Sequence, residues 1–176
     1  MVKNSIIISG VKLNIMTIQL TDEKIGSLLA ERKILPEDLF SIGKLKTKHG
    51  HKEYERDLTG DNGSDFRLIF RQSNLNPLDF SVILVYVPKG SNQQFRLRRY
   101  NGKSHEHGNH IEKNKFYGFH IHTATQRYQQ SGYREDTYAE ETDRYADYHG
   151  AIDCMLKDCG FSISKKNHNL SQWGMN

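Results

Sequence analysis

Residues Asp65 to Tyr100 read DFRLIFRQSNLNPLDFSVILVYVPKGSNQQFRLRRY. Apolar side chains recur here with period two between turn signals. Phe66, Leu68 and Phe70 point one way and Arg67 and Arg71 the other, which predicts a half-buried strand over residues 65–72. Asn74 to Pro77 turns the chain. Asp79 to Val87 is apolar on both faces and reads as the central strand. After the turn at Pro88–Asn92, residues 94–100 alternate again, with Phe95 and Leu97 on one side and Arg96, Arg98 and Tyr100 on the other. Connections this short are too brief for parallel crossovers, so the strands form an antiparallel meander.

The flanking segments extend this pattern. Upstream, residues 52–58 form a polar edge strand before the Asp61-Asn62-Gly63 turn. Thr21 or Asp22 caps a helix that runs to about Lys33, with Ile25, Leu28 and Leu29 on one face. Pro36 to Phe40 has the proline and acids of a second, short helix start. Downstream, Asn101-Gly102 is a hairpin turn signal. A polar, histidine-rich loop over 104–114 then leads into a strand at 116–122. Thr123 or Thr125 caps a short helix that ends at Gly132. Tyr145, Tyr148, Ile152, Met155, Leu156 and Cys159 recur at helical spacing, and Gly160 stops that helix. The expected fold is α+β: an antiparallel meander of about five strands, with N-terminal helices and a long C-terminal helix packed on one face. Residues 16–163 make one domain, 1–15 a leader or edge strand, and 164–176 a flexible tail.

The 176 residues carry 25 Lys or Arg, 21 Asp or Glu and a net charge of +4. So small a surplus does not by itself call for nucleic acid; its distribution says more. Residues 93–134 hold eight Lys or Arg against two Glu, a net of +6, and residues 135–158 hold two against eight, a net of −6. The acidic block would cover the basic one, in the same chain or in a second subunit. Two cysteines without metal-type spacing, five residues apart on a helix, point to unpaired thiols and a reducing cytoplasm. No apolar run approaches the ~20 residues of a membrane span.

Five of the nine histidines fall between Phe95 and Tyr138: His105, His107, His110, His120 and His122. Alternation in YGFHIH puts Tyr117, Phe119 and Ile121 in the core and His120 and His122 on the open face. That face would also hold Arg96, Arg98 and Tyr100, with Arg67 and Arg71, while Arg99 falls on the Leu97 side. Imidazole, guanidinium and phenol with few carboxylates make a phosphate surface. The leading expectation is metal-independent RNA cleavage of toxin or defence type, without cofactor. His120 and His122 would move the protons, His105 or His107 would be a second source, and Tyr100 would stack or donate. Arg96, Arg98, Arg67, Arg71, Arg127 and Tyr128 would bind RNA or another phosphate-bearing ligand. A second reading is a zinc site from His105, His107, His120 and His122, with His110, Glu106 or Glu112 as a further ligand. A third is non-enzymatic binding of nucleic acid or of an acidic protein partner such as an antitoxin. A lone His-x-His is more often a polar strand edge, and Asn101, Ser104 and Asn109 are first of all turn residues.

The phrases Phe95–Gly102 (FRLRRYNG), followed by His105 and His107, and His120–Tyr128 (HIHTATQRY) resemble those of an uncharacterised bacterial family over roughly residues 66–161. The resemblance implies no activity. A looser likeness is to RelE-type ribonuclease toxins, whose N-terminal helices precede an antiparallel sheet bearing Arg, His and Tyr. It is a likeness of fold, and it assigns no residue a role.

Overall fold

The computed structural model describes residues 3–8, 11–16, 18–35, 46–48 and 50–162. The expected helix start at Pro36–Phe40 and the C-terminal tail lie outside them. The chain is α+β. Seven antiparallel strands form the main sheet: β4 (Lys46–Lys48), β5 (His51–Thr59), β6 (Asp65–Ser73), β7 (Phe80–Val87), β8 (Phe95–Asn101), β11 (His120–Thr123) and β12 (Ala139–Glu141). Their spatial order is β12-β11-β8-β7-β6-β5-β4. From β4 to β8 it is the expected meander. Then β9 (His107–Asn109) and β10 (Asn114–Phe116) form a separate hairpin before the chain returns as β11 beside β8. At the N-terminus, β1 (Lys3–Ile8) and β2 (Val11–Met16) pair as a two-stranded unit of their own.

Among the described residues, three helices accompany the sheet: α1 (Asp22–Ala30), α2 (Gln126–Gln130) and α3 (Tyr148–Asp158). Each begins at a side chain that accepts from an otherwise orphaned backbone N–H: Thr21 from Lys24, Thr125 from Tyr128, Asp147 from Gly150. Helices α1 and α3 pack on the same sheet face. Ile25, Leu28 and Leu29 join Ile152, Met155 and Cys159 over Phe66, Leu68, Phe70, Val82, Leu84, Leu97 and Tyr100 in one buried cluster. Cys154 and Cys159 are buried free thiols. No helix among the described residues is long and apolar enough to cross a membrane.

Lys33 ties the two helix ends together. Its side chain is fully buried. The ammonium donates to the carbonyls of Leu28 (2.8 Å), Glu31 (2.7 Å) and Cys159 (3.0 Å), with Leu29 O at 3.3 Å. These are the C-terminal carbonyls of α1 and α3, which have no acceptor role left within their helices and carry the negative dipole ends. Beside it, β3 (Lys33–Ile34) pairs in parallel with β13 (Phe161–Ser162). Gly160 lets α3 stop here at φ +71°, where a Cβ would stand 2.5 Å from Glu31 O.

Two expectations fail for local reasons. Asn101-Gly102 is not a hairpin turn: Asn101 is the last residue of β8, paired to both neighbours. Gly102 is needed for close approach instead, since a Cβ there would lie 1.9 Å from Leu78 O. The second failure is a β-bulge. Val85 pairs with Arg96 and Leu84 with Arg98, so Leu97 is an extra residue on β8. A bulge breaks period two. Leu97 and Arg98 therefore both face the helices, and every residue after them is inverted relative to simple alternation.

Candidate metal centre

The inversion decides which side chains meet. Across the β8–β11 ladder, His120 lies opposite Asn101 and His122 opposite Arg99, while Tyr100 faces Ile121 and Arg98 faces Thr123. His120 and His122 do share one face, as alternation predicts. Their companions there are Arg99 and Asn101, not Arg98 and Tyr100. Tyr100 is fully buried in the main core, and its hydroxyl donates to Asp158 Oδ2 at 2.9 Å. Burial, first of all, pushes its pKa far up. Arg98 lies 3.7 Å from Asp158, which also takes two bonds from Arg144, at 2.8 and 2.7 Å.

Nor is the histidine face open. His120 and His122 are buried, at 0% and 2% exposure. They sit beneath the β9–β10 hairpin, which brings His107 onto them: its ring centroid is 5.2 Å from His120 and 4.7 Å from His122. Suitable ligand atoms of His107, His120 and His122 all lie within 4.8 Å of one another, so the three are close enough to bind one metal ion. His105 is exposed and reaches only the rim, with its ring edge-on to His120 at 5.7 Å. The other proposed ligands are engaged elsewhere. His110 stacks on Tyr133 at 5.0 Å, Glu106 pairs with Lys115, and Glu112 accepts from Arg127 and Tyr128.

Hydrogen bonds set the tautomers. His120 Nδ1 is 2.8 Å from Gly118 O and His122 Nδ1 is 2.8 Å from Asp136 O. A carbonyl only accepts, so both Nδ1 atoms carry the proton and both Nε2 atoms keep a lone pair. The same holds one step removed for His107. Ala139 N–H donates to Asn109 Oδ1 at 2.9 Å, and Asn109 Nδ2 donates to Ala139 O at 2.8 Å, which fixes that amide. His107 Nε2, 3.1 Å from the same Oδ1, must therefore donate, leaving Nδ1 as its lone pair. Each imidazole gives one N–H to a fixed oxygen and keeps a lone pair on the other nitrogen, as metal-ligating histidines do. Tyr145 holds the base of the site, its hydroxyl reaching the carbonyls of Asn101 (3.0 Å) and His120 (2.9 Å).

Burial favours the neutral form of all three rings. Burial pulls the His120 pKa down to about 4, and it lowers His122 further still and His107 to a lesser degree. Arg99 adds to this at His122, its Nη2 standing 3.2 Å from both ring nitrogens. An acid–base pair for RNA cleavage needs one imidazolium near neutral pH, and burial disfavours the charged form of both rings. The basic face is also neutralised within the chain. Arg96 lies 3.9 Å from Glu135 and Arg99 lies 3.3 Å from the buried carboxylate of Asp136. The latter is an ion pair without the alignment of a hydrogen bond. Arg67 pairs with Asp57 at 2.6 Å and Arg71 with Glu53. Arg127 is held by Glu112, and Tyr128 is fully buried. A groove of about 720 Å³ lined by Arg98, Ile121, Thr123, Glu140 and Arg144 lies on the other face of β11 and contains none of the histidines.

Comparison of the chain with protein-family models, with curated proteins and with solved structures found no match. The resemblances of its motifs therefore stand on the residues alone.

Pattern reasoning missed Asn101 and Asn109, both buried polar residues of the site. Asn101 and Asn109 carried only turn signals. Their roles depend on which strand each one meets.

Proposed function

We propose that this protein is a zinc-binding protein in which His107, His120 and His122 hold the ion and thereby pin the β9–β10 hairpin to the main sheet. The observation that carries this reading is the set of three tautomers, each with one N–H on a fixed oxygen and a lone pair on the other nitrogen, on three rings whose ligand atoms lie within 4.8 Å of one another. Three neutral imidazoles suit zinc and the later first-row dications. Two of the three are buried, which fits a site that stabilises structure better than one open to substrate. Zinc bound only to the folded chain adds stability by mass action.

The test is metal content after reconstitution and desalting, read by elemental analysis. The wild type is expected to retain about one zinc per chain. His107→Ala, His120→Ala and His122→Ala should each lose it, and His105→Ala should keep it. At free zinc of ~100 Kd the stabilisation is about 2.7 kcal/mol. For a chain of this size that raises Tm by roughly 5–11 °C. A wild type that retains no more zinc than the His120→Ala, His122→Ala double variant would sink the reading.

A further inference from the structure

Three imidazoles leave one corner of a tetrahedral ion to be filled, and one side chain already stands at that distance. Asn101 is 3% exposed, at the end of β8, between Ser81 on one neighbouring strand and His120 on the other. Its Nδ2 is 3.3 Å from His120 Nε2 and 3.3 Å from His122 Nε2. Two ligands of a tetrahedral zinc, with bonds of ~2.0–2.1 Å, are separated by about 3.3–3.4 Å. The end of the Asn101 amide is therefore already one tetrahedral edge away from both histidine nitrogens.

The atom at that corner is the wrong one for a metal. Both Nε2 atoms are lone pairs, so the group between them must be the NH₂ that donates to them. Oδ1 points away and accepts from the Ser81 hydroxyl at 2.8 Å. A cation at the same point reverses the demand, because it needs a lone pair. We infer that Asn101 is the fourth ligand of the ion, reached by a half-turn of its side-chain amide that exchanges Nδ2 for Oδ1. The half-turn changes almost no volume, since the two ends of an amide are nearly the same size. It also keeps the far end of the amide hydrogen-bonded. The displaced NH₂ comes to Ser81 Oγ, and a hydroxyl that donated before accepts afterwards by rotating its hydrogen.

Asn101 thus fills two roles in turn: it satisfies the histidine lone pairs when they hold no ion, and it completes the coordination when they do. Its neutral oxygen makes a His₃-amide donor set, which tunes the site towards borderline dications and away from soft Cu(I).

This inference rests on the metal-binding reading, and Co²⁺ separates the two. Affinity is measured by competition with a chromophoric chelator, coordination by the visible absorption of bound Co²⁺, and fold by far-UV circular dichroism. In Asn101→Asp, which keeps the size and supplies a carboxylate oxygen, Co²⁺ should bind at least ~10-fold more tightly with a four-coordinate spectrum. In Asn101→Leu, which supplies no donor, binding should fall by about 100-fold or more and the spectrum should change. If both variants stay within about twofold of wild type and leave the spectrum unaltered, Asn101 is not a ligand, though the three-histidine site survives. A wild type that binds no Co²⁺ removes both. If Asn101→Leu does not fold, the aspartate variant decides alone: unchanged affinity and spectrum overturn the assignment.

Discussion

Replacing Lys33 with methionine removes one buried ammonium and leaves the ends of α1 and α3 without their shared donor. Two terms oppose each other. Three charge-assisted hydrogen bonds, to Leu28 O, Glu31 O and Cys159 O, are lost; such bonds contribute about 1.5–3 kcal/mol each, or roughly 5–9 kcal/mol in all. Against this, burial pulls the Lys33 pKa from 10.5 down to about 8. Holding the charged form in the fold therefore costs about 3.4 kcal/mol, at 1.36 kcal/mol per unit. The net loss is about 2–6 kcal/mol, a large part of the 5–15 kcal/mol typical of a domain. Urea unfolding followed by circular dichroism should show the Lys33→Met midpoint falling with little change in slope. The pH dependence has a definite sign. The folded pKa lies below the unfolded one, so between pH 8 and 10.5 the unfolded chain binds the extra proton. Wild-type stability then gains up to about 3.4 kcal/mol from this group as pH rises through that window. The gain should be missing from Lys33→Met, so the two stability curves should move further apart as pH rises through that window. A variant as stable as wild type at pH 7 would refute the claim that the ammonium is needed by the helix ends.

Other expectations follow from the site and its surroundings. Arg99→Gln should raise zinc affinity by about 10-fold or more, measured by chelator competition. It takes away a cation 3.2 Å from the His122 ring and leaves the Asp136 carboxylate to face the ion. The same change should lower the stability of the metal-free protein, because Asp136 is fully buried and keeps only Arg134, at 2.7 Å. Tyr100→Phe should cost only about 1–2 kcal/mol in chemical denaturation, since Arg144 still holds Asp158 through two bonds. A broad RNA pool incubated with the protein in chelator should show no cleavage that His120→Ala and His122→Ala abolish; cleavage that both abolish would restore the metal-independent reading.

Much of the architecture was legible. Period-two alternation in Phe66–Phe70 and the two-sided apolar run of Phe80–Val87 located β6 and β7 to within a residue or two, because strand side chains alternate by covalent geometry alone. The helical spacing of Ile152, Met155 and Cys159 identified α3 and its buried side for the same kind of reason. Tyr145, read as part of that helix, precedes it instead and clasps the strands. The three-residue β12 carries too few side chains to show a period, and it was missed.

The site divides along the same line. That His120 and His122 point to one face is a local consequence of their spacing, and the amino-acid sequence by itself determined it. Which residues stand beside them is set by hydrogen-bond register between strands far apart in the chain. One extra residue, Leu97, was enough to bring Arg99 and Asn101 to the histidines and send Arg98 and Tyr100 to the helices. Whether that face is open was likewise a tertiary matter. The folded-back β9–β10 hairpin covers the pair and brings His107 into the cluster, where the ligand atoms of the three histidines lie within 4.8 Å of one another.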